Sequence, residues 1–272
     1  MACCMKKQFL LYGLMLATIV SVAQSSGNSS GFYNSFDGKK IYYESAGNGS
    51  VVVLVHGFTG TSAGWKRSVL YNDLLKKGYR VIVMDLRGNG QSDKPNDAAS
   101  YAHDAEAKDV MGLLTHLGIK KYAVAGYSRG SIITARLLVL DKRITKAVLG
   151  GMGTGFTDPE WPRRLLFYHT LAGDTMSVDM EGFMKYVKDS GFDRQVLAMQ
   201  QKEQPSTSKK ELGKIKQPVL AISGSEDSDN GSAEELAKLF KRGVYKTVPG
   251  NHNSTSGTAA YADAVITFLE QK

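Results

Sequence analysis

The sequence predicts an α/β fold. We expect a mostly parallel eight-stranded sheet flanked by helices, with a helical cap inserted between two late strands. Three observations predict it: short apolar runs alternate with helical patterns, an Asp-Gly hairpin turn precedes them, and one long interval has helical patterns only. Continuous apolar runs are typical of parallel strands that are buried on both faces. Strand–helix alternation of this kind indicates right-handed crossovers within one sheet.

The strands follow in chain order from these patterns. The chain from about Gly31 to Gly47 is predicted to form two strands around the turn Asp37-Gly38, because an Asp-Gly pair is a strong hairpin signal. Six apolar runs then supply the remaining strands of the sheet. They read VVVLVHG, VIVMDLRG, YAVAGYS, KAVLGGM, PVLAISG and VYKTVPG.

The interval between Met152 and about Lys216 contains no buried-strand pattern, and its segments EWPRRLLFYHTLAG and MEGFMKYVKDSGFDRQVLAMQQ look helical. We therefore expect a core domain of residues 24–151 and 217–272, with a helical cap insertion at residues 152–216. Aromatic side chains of the cap are candidates for substrate binding, although each of them could instead only pack the cap onto the sheet. The substrate-binding candidates are Trp161, Phe167 and Tyr168.

Residues 1–23 have the pattern of a secretory signal peptide. Lys6 and Lys7 give a basic start, an apolar stretch covers residues 9–22, and Ser21-Val22-Ala23 resembles a cleavage site. The alternative is a retained membrane anchor, but the apolar stretch is shorter than the ~20 residues that span a bilayer. Cleavage near Ala23 predicts an exported protein, periplasmic or secreted, with no stable membrane span. Both cysteines would leave with the leader, so the mature core would have to be stable without disulfides.

The charge distribution and the motifs limit the kinds of ligand and partner that this chain is expected to bind. The formal net charge of the full chain is +8. Removal of the leader, which carries two lysines and no acid, lowers it to +6. Basic pairs such as Arg163-Arg164 are scattered and form no stripe interleaved with aromatics, so we expect no nucleic-acid partner and read these pairs as solvated. No metal-ligand spacing or nucleotide-binding glycine pattern is present, so no metal and no cofactor is expected. The sequence leaves the oligomeric state open.

Ser128 lies where an apolar strand meets a helical pattern, in AGYSRG. A serine on such a sharp turn has its hydroxyl lifted clear of the sheet, and the flanking Gly126 and Gly130 avoid clashes in the bend. The N–H of Arg129 begins the helix without an acceptor, so it can face a developing oxyanion. The Gly-x-Ser-x-Gly pattern alone is a weak signal, so the partners of the serine decide its meaning.

A serine hydroxyl becomes a good nucleophile when a histidine, held by a carboxylate, takes its proton. His252 follows the last predicted strand and comes after Ser128 in the chain. His56 also ends a strand and stays open as an alternative base, whereas the other three histidines lie in helical or cap segments. The carboxylate should follow the strand PVLAISG, where three acids stand: Glu226, Asp227 and Asp229.

With these motifs in order, the chain resembles the α/β-hydrolase family, including its serine esterases and lipases, over nearly the whole mature sequence. The matching motifs are HGFTGTSAGW, MDLRGNGQSDKP, AGYSRG, ISGSED and PGNH. The resemblance implies that Ser128 is the nucleophile, Asp227 the orienting acid and His252 the base. It also implies that the N–H groups of Phe58 and Arg129 form the oxyanion hole, and that DLRGNGQSDKP is a structural loop.

The residue type at the sharp strand–helix turn, here Ser128, indicates which reaction the site supports. Family members that open epoxides or displace halides use an aspartate there, so Ser128 favours a hydrolase that cleaves a small-molecule carboxylic ester, thioester or lactone through an acyl-enzyme. The same triad could serve an aminopeptidase, a carbon–carbon hydrolase or a cofactor-free haloperoxidase, and a non-catalytic binding protein is a further alternative. Two departures from the family pattern concern Arg129, whose side chain either pairs with an acid at the pocket rim or points to solvent, and Ser131, which replaces a common glycine.

Overall fold

The computed structural model describes Met1, residues 28–175 and residues 177–271, so the predicted leader lies, apart from Met1, outside the described residues. The described residues form one eight-stranded sheet. Its strands are β1 (Ser29–Asn34), β2 (Lys40–Ala46), β3 (Val51–Val55), β4 (Arg80–Met84), β5 (Tyr122–Tyr127), β6 (Ile144–Gly150), β7 (Val219–Gly224) and β8 (Gly243–Val248). Across the sheet their order is β1-β2-β4-β3-β5-β6-β7-β8.

The sheet is mostly parallel, as predicted. Strand β1 pairs antiparallel with β2, and β2 pairs antiparallel with β4, whereas every other neighbouring pair is parallel. The predicted hairpin joins β1 to β2. Gly38 adopts φ +81° in its turn and donates its N–H to the carbonyl of Ser35 at 3.0 Å. A positive φ of this kind is the conformation that glycine adopts without steric cost.

Helices cover both faces of the sheet. Those described are α1 (Ser62–Lys66), α2 (Val69–Lys76), α3 (Ala105–His116), α4 (Arg129–Leu140), α5 (Pro162–Ala172), α6 (Val178–Asp189), α7 (Arg194–Lys202), α8 (Lys209–Leu212), α9 (Ala233–Lys238) and α10 (Ala259–Glu270). One apolar layer joins the sheet to α3, α4 and α9, and the other joins it to α1, α2 and α10. Over the part of the chain that the structure describes, no helix has the length and apolarity needed to cross a membrane.

The alternation of side chains along each strand explains the continuous apolar runs. In β3, Val53 and Val55 pack into the first layer, while Val52 and Leu54 pack into the second, and all four are fully buried. Successive strand residues point to opposite faces, so a strand covered on both sides must be apolar throughout. Strand β8 departs from this expectation. It is the last strand at one edge of the sheet, and its residues 244–247 are exposed.

Four helices, α5 to α8, lie between β6 and β7. They begin at Pro162 and end at Leu212, inside the interval predicted for the cap, and we call them the cap helices. Their own apolar cluster contains Leu171 and Val187, and Phe58, just beyond the end of β3, packs against it. The cap helices therefore cover the carboxyl end of β3, which is the edge of the sheet where α/β proteins bind their ligands.

The loop DLRGNGQSDKP has a structural role, as the resemblance implied. Arg87 is fully buried and pairs with Asp109 through Nη2–Oδ1 at 2.6 Å, and with Asp37 through Nη1–Oδ2 at 2.9 Å. The carboxylate of Asp85 accepts the main-chain N–H groups of Ser62 and Gln91, at 2.6 and 2.8 Å. These bonds hold the loop after β4 against α3, the start of α1 and the turn between β1 and β2.

Candidate active site

Ser128 occupies a strained turn between β5 and α4. Its backbone has φ 54° and ψ −126°, and its N–H donates to the carbonyl of Gly150 at 2.8 Å. A Cβ on Gly130 would lie 2.2 Å from the carbonyl oxygen of Val55, and a Cβ on Gly126 would lie 2.2 Å from that of Gly130. Both glycines are required because the first turn of α4 packs directly against the ends of β3 and β5. A non-glycine residue at positive φ is costly, and such strain concentrates at functional sites.

Three side chains from three loops meet at this turn. The Ser128 Oγ lies 2.9 Å from Nε2 of His252, which follows β8. On the other side of the ring, Nδ1 of His252 lies 3.0 Å from Oδ2 and 3.2 Å from Oδ1 of Asp227, which follows β7. With the proton on Nδ1, the ring donates to Asp227 and accepts from the serine hydroxyl. This is the geometry that activates a serine for nucleophilic attack.

The structure distinguishes the three acids that follow β7. The carboxylate of Asp227 is 2 % exposed and faces His252, whereas Glu226 is exposed to solvent. Asp229 lies at the pocket and pairs with Arg163 of α5 across 3.6 Å. The cap of the next helix is Ser232 and not Asp229, since the Ser232 hydroxyl accepts the N–H of Glu235 at the start of α9.

His56, the alternative base, points away from Ser128. It is 3 % exposed, and its Nε2 accepts the N–H of Leu86 at 3.0 Å, while its Nδ1 lies 2.7 Å from the carbonyl of Gly57. Burial lowers the pKa of His56, against smaller opposing effects of the Gly57 carbonyl and of nearby acids. A neutral ring with its proton on Nδ1 satisfies both contacts, so His56 braces the loop after β3.

His56 should make the stability of the protein depend on pH. Its pKa is lower in the folded than in the unfolded chain, so the unfolded state binds more protons and stability falls as the pH drops below about 6.5. We expect the free energy of unfolding to fall between pH 7 and pH 5, because the unfolded chain takes up a proton at His56 that the buried ring does not. Urea unfolding of the wild type and H56N at several pH values measures this difference.

The matched control for this measurement is H103N. His103 is exposed and has φ 56°, a conformation that asparagine tolerates well. H103N should keep the wild-type pH slope, while H56N should be less stable at pH 7 but lose less stability on acidification. Identical slopes for H56N and the wild type would contradict a neutral, buried His56.

The two main-chain N–H groups that the resemblance suggested for an oxyanion hole lie close to the serine. Arg129 is the first residue of α4, and Phe58 lies in the loop after β3, where a Cβ on the preceding Gly57 would come within 3.3 Å of the Ser128 Cβ. Among the described residues, no protein oxygen accepts the N–H of Phe58 or of Arg129. Free donors beside a nucleophile can stabilise an oxyanion that forms within their reach.

The Arg129 side chain takes neither of the two positions that the sequence left open, and Ser131 has a structural role of its own. Arg129 neither reaches the solvent nor pairs at the pocket rim: it is 4 % exposed and forms a two-bond ion pair with the buried Glu106 of α3. Ser131 is fully buried, and its hydroxyl lies 3.0 Å from the carbonyl of Gly126 and 2.8 Å from that of Gly150. Ser131 therefore links the carboxyl ends of β5 and β6 below the nucleophile.

A pocket of about 750 Å³ opens above Ser128, between the sheet edge and the cap helices. Its apolar wall is aromatic, with Phe58 stacked on Phe183 and edge-on to Phe167 at centroid distances of 6.2 Å. The other walls are polar and carry guanidinium and amide groups. The polar lining includes Arg163, Arg164, Gln201, Gln204 and Asn253. A pocket of this size accommodates a small or medium organic molecule.

Two of the three cap residues that the sequence suggested for substrate binding line the pocket, and the third does not. Trp161 and Phe167 line it, but Tyr168 does not. Helical geometry turns Tyr168 toward the cap's own apolar cluster, where its ring lies against His169, so it is corrected from a substrate-binding to a packing residue. The arginine pair at 163–164 was predicted to be solvated, yet both side chains line the pocket.

Sequence reasoning missed two residues beside His252, of which only Tyr127 bonds to it, because Nδ1 of the ring donates to Asp227 and does not accept from the Asn230 amide. The Tyr127 hydroxyl donates to the His252 carbonyl at 2.7 Å, and the buried Asn230 places its Nδ2 3.4 Å from His252 Nδ1. Tyr127 adjoins Ser128 in AGYSRG, but nothing local in the sequence shows that its side chain crosses to the loop after β8. Within the residues described, no group of three or more His, Cys, Asp and Glu side chains is placed to hold a metal ion.

Known proteins share this fold. A family model described as alpha/beta hydrolase fold matches residues 50–181. The chain also superposes on a solved esterase from Exiguobacterium antarcticum with a TM-score of 0.72, covering 89% of this chain and 100% of that one. At 19% sequence identity, that superposition shows the fold alone. The chain therefore has the α/β-hydrolase fold.

Curated members of the family that match the sequence differ in their named activities. A putative non-heme chloroperoxidase from Synechocystis sp. is 40% identical over 111 residues, which are 40% of this chain and 39% of the relative. Epoxide hydrolase 3 from Siraitia grosvenorii is 40% identical over 97 residues, 36% of this chain and 30% of the relative. The chain spans less than half the length of each of these relatives, so the alignments show a partial likeness and do not indicate its reaction.

Proposed function

We propose that this protein is a serine hydrolase that cleaves a carboxylic ester, or a related thioester or lactone, through an acyl-enzyme. One observation carries the proposal: the Ser128 Oγ lies 2.9 Å from His252 Nε2, and the opposite nitrogen of the same ring lies 3.0 Å from Asp227. Ser128, on the turn between β5 and α4, argues against the epoxide-opening chemistry named for one relative. In the family, that chemistry is associated with an aspartate nucleophile at this position.

The proposed reaction has two halves. In the first half, the Ser128 Oγ attacks the ester carbonyl carbon while its proton passes to His252 Nε2, and the oxyanion accepts hydrogen bonds from the N–H groups of Phe58 and Arg129. The tetrahedral intermediate then releases the alcohol, which takes the proton from His252. In the second half, water gives a proton to His252 and attacks the acyl-enzyme, and collapse of the second intermediate frees the acid and returns the proton to Ser128. Asp227 stabilises the imidazolium in both halves.

A substrate panel tests the proposed reaction. p-Nitrophenyl esters of increasing acyl length, a thioester, a lactone and aminoacyl p-nitroanilides should separate ester cleavage from aminopeptidase activity. The aromatic wall of the pocket supports turnover of small and medium apolar acyl groups. A mass increase equal to the acyl group, trapped by rapid acid quench, would identify the acyl-enzyme. Absence of turnover for every ester, thioester and lactone would contradict the proposal.

A cofactor-free haloperoxidase is the second candidate, favoured by the chloroperoxidase name of one relative. In that reaction hydrogen peroxide, instead of water, attacks the acyl-enzyme and releases a peracid, which then oxidises a halide. Adding acetate, hydrogen peroxide and bromide, with a halogenation dye as the readout, tests it directly. A peracid rate above that of ester hydrolysis would make perhydrolysis the principal activity.

We also propose that the protein is exported after removal of residues 1–23. The basic start, the short apolar stretch and Ser21-Val22-Ala23 support this. N-terminal sequencing of exported material should begin near Gln24. A membrane-bound chain that still carries residues 9–22 would contradict cleavage.

A further inference from the structure

A buried ion pair lies directly behind the nucleophile. Arg129 Nη1 and Nη2 lie 2.6 and 2.5 Å from the two carboxylate oxygens of Glu106, and the two side chains are 4 % and 3 % exposed. A buried ion pair contributes little net stability, because desolvation of the two charges offsets their attraction. Stability alone therefore does not account for two buried charges at this position.

The pair also reaches the cap. Arg129 Nη2 donates to the carbonyl of Gln200 in α7 at 3.0 Å. The fully buried Gln200 side chain in turn donates to the carbonyl of Arg87 at 2.8 Å and to Oδ1 of Asn89 at 2.6 Å. These contacts join α3, α4, the cap helix α7 and the loop after β4 in one chain of hydrogen bonds.

The same chain of bonds ends at the loop that carries the second oxyanion donor. Asn89 Nδ2 donates to the carbonyl of Phe58 at 2.8 Å and to that of Gly60 at 3.2 Å. The Arg129 guanidinium also lies 5.9 Å from the centroid of the Phe58 ring. The residues that offer the two free N–H groups thus contact each other through their side chains and share one set of hydrogen-bonded partners.

We infer that Arg129 and Glu106 are positioning residues of the oxyanion hole, and that through Gln200 they couple its geometry to the cap helix α7. The inference rests on the proposed function. The N–H donors stabilise an oxyanion only when both lie near 2.7–3.1 Å from it, so a small displacement of either loop weakens binding of the tetrahedral state. The donors are nearer to the oxyanion than to the ground-state carbonyl oxygen, so binding of the intact ester depends mainly on the pocket walls.

The test uses the double variant E106Q/R129M, which removes both charges together and so leaves no unpaired buried charge. We expect its kcat for p-nitrophenyl butyrate to fall at least tenfold while KM stays within about twofold. The Kd for phenylboronic acid should rise by a similar factor, because the tetrahedral boronate formed on Ser128 places an oxygen between the two N–H groups. R129K keeps the charge but not the two-bond pair, so it should recover only part of the loss.

The matched control is D104N/R136M. Arg136 of α4 pairs with Asp104, just before α3, with Nη2–Oδ2 at 2.8 Å, so this pair joins the same two helices away from Ser128. Its removal should leave kcat and boronate affinity within twofold of wild type, even if the melting temperature falls. Should E106Q/R129M fold poorly, R129K and the single variant E106Q answer the same question.

Two outcomes separate the inference from the function on which it rests. Wild-type boronate affinity and kcat in E106Q/R129M and in R129K would overturn the positioning role alone. Failure of the wild-type protein to bind phenylboronic acid or to turn over any ester would overturn the proposed function, and the positioning role with it. A fall in melting temperature without a change in kcat would likewise assign the ion pair to stability only.

Discussion

Replacing Ser128 with alanine should lower the rate of ester hydrolysis by roughly 10⁶-fold, as loss of the nucleophile does in serine proteases. It should also abolish labelling by a fluorophosphonate, which reacts with an activated serine. The physical reason is that the Oγ, 2.9 Å from His252 Nε2, supplies the attacking electron pair, and an alanine methyl has none. Intact-mass spectrometry after incubation with the probe measures the labelling.

The turn itself should survive this substitution. The N–H of residue 128 keeps its bond to Gly150, and alanine tolerates a positive φ no worse than serine. S228A, at an exposed serine in the loop after β7, is the control and should be labelled at the wild-type rate. Labelling of the S128A protein as fast as wild type would assign the nucleophile to another residue.

Replacing Asp227 with asparagine should lower kcat by several orders of magnitude, up to roughly 10⁴-fold. An asparagine amide cannot stabilise the imidazolium that forms as His252 takes the serine proton. It can also turn its NH₂ toward Nδ1, which favours the wrong tautomer of the ring. Steady-state kinetics on one p-nitrophenyl ester measure the loss, and circular dichroism tests whether the variant is folded.

Two neighbouring acids provide the controls for Asp227. Glu226 is exposed, and Asp229 faces Arg163 instead of the histidine, so E226Q and D229N should each stay within about tenfold of wild type. Because Asp229 lines the pocket, D229N should change KM more than kcat. A large loss of kcat in D229N with nearly normal kcat in D227N would show that Asp229, and not Asp227, is the acid that orients His252.

Much of the fold could be predicted because it depends on patterns among residues that are close together in the sequence. The apolar runs predicted the strands, since a strand covered by helices on both faces must be apolar along its whole length. The bend at Ser128 could be predicted because Gly126 and Gly130 report a close approach of main chains. The order of the triad followed from a rule of topology: the carboxyl ends of parallel strands meet at one edge of the sheet.

The partners of Arg129 could not be predicted from the sequence. Glu106 is 23 positions away and Gln200 is 71 positions away, and nothing next to either residue marks it as a partner. Tyr168 shows the same limit on a smaller scale. It is adjacent to Phe167 and chemically similar, but one residue along a helix turns a side chain by about 100°, away from the pocket.

The sequence by itself determined the α/β class, the strained turn that presents Ser128, and the two later strands that are followed by candidate acids and by a histidine. These depend on periodicity and on local backbone sterics. Only the tertiary structure decided which acid meets His252, that His56 braces a loop, and that Arg129 is buried against Glu106. Such contacts join residues from separate loops and helices, so they depend on how the cap and the sheet pack together. The sequence alone shows which residue types are available for this packing, but not which of them come into contact.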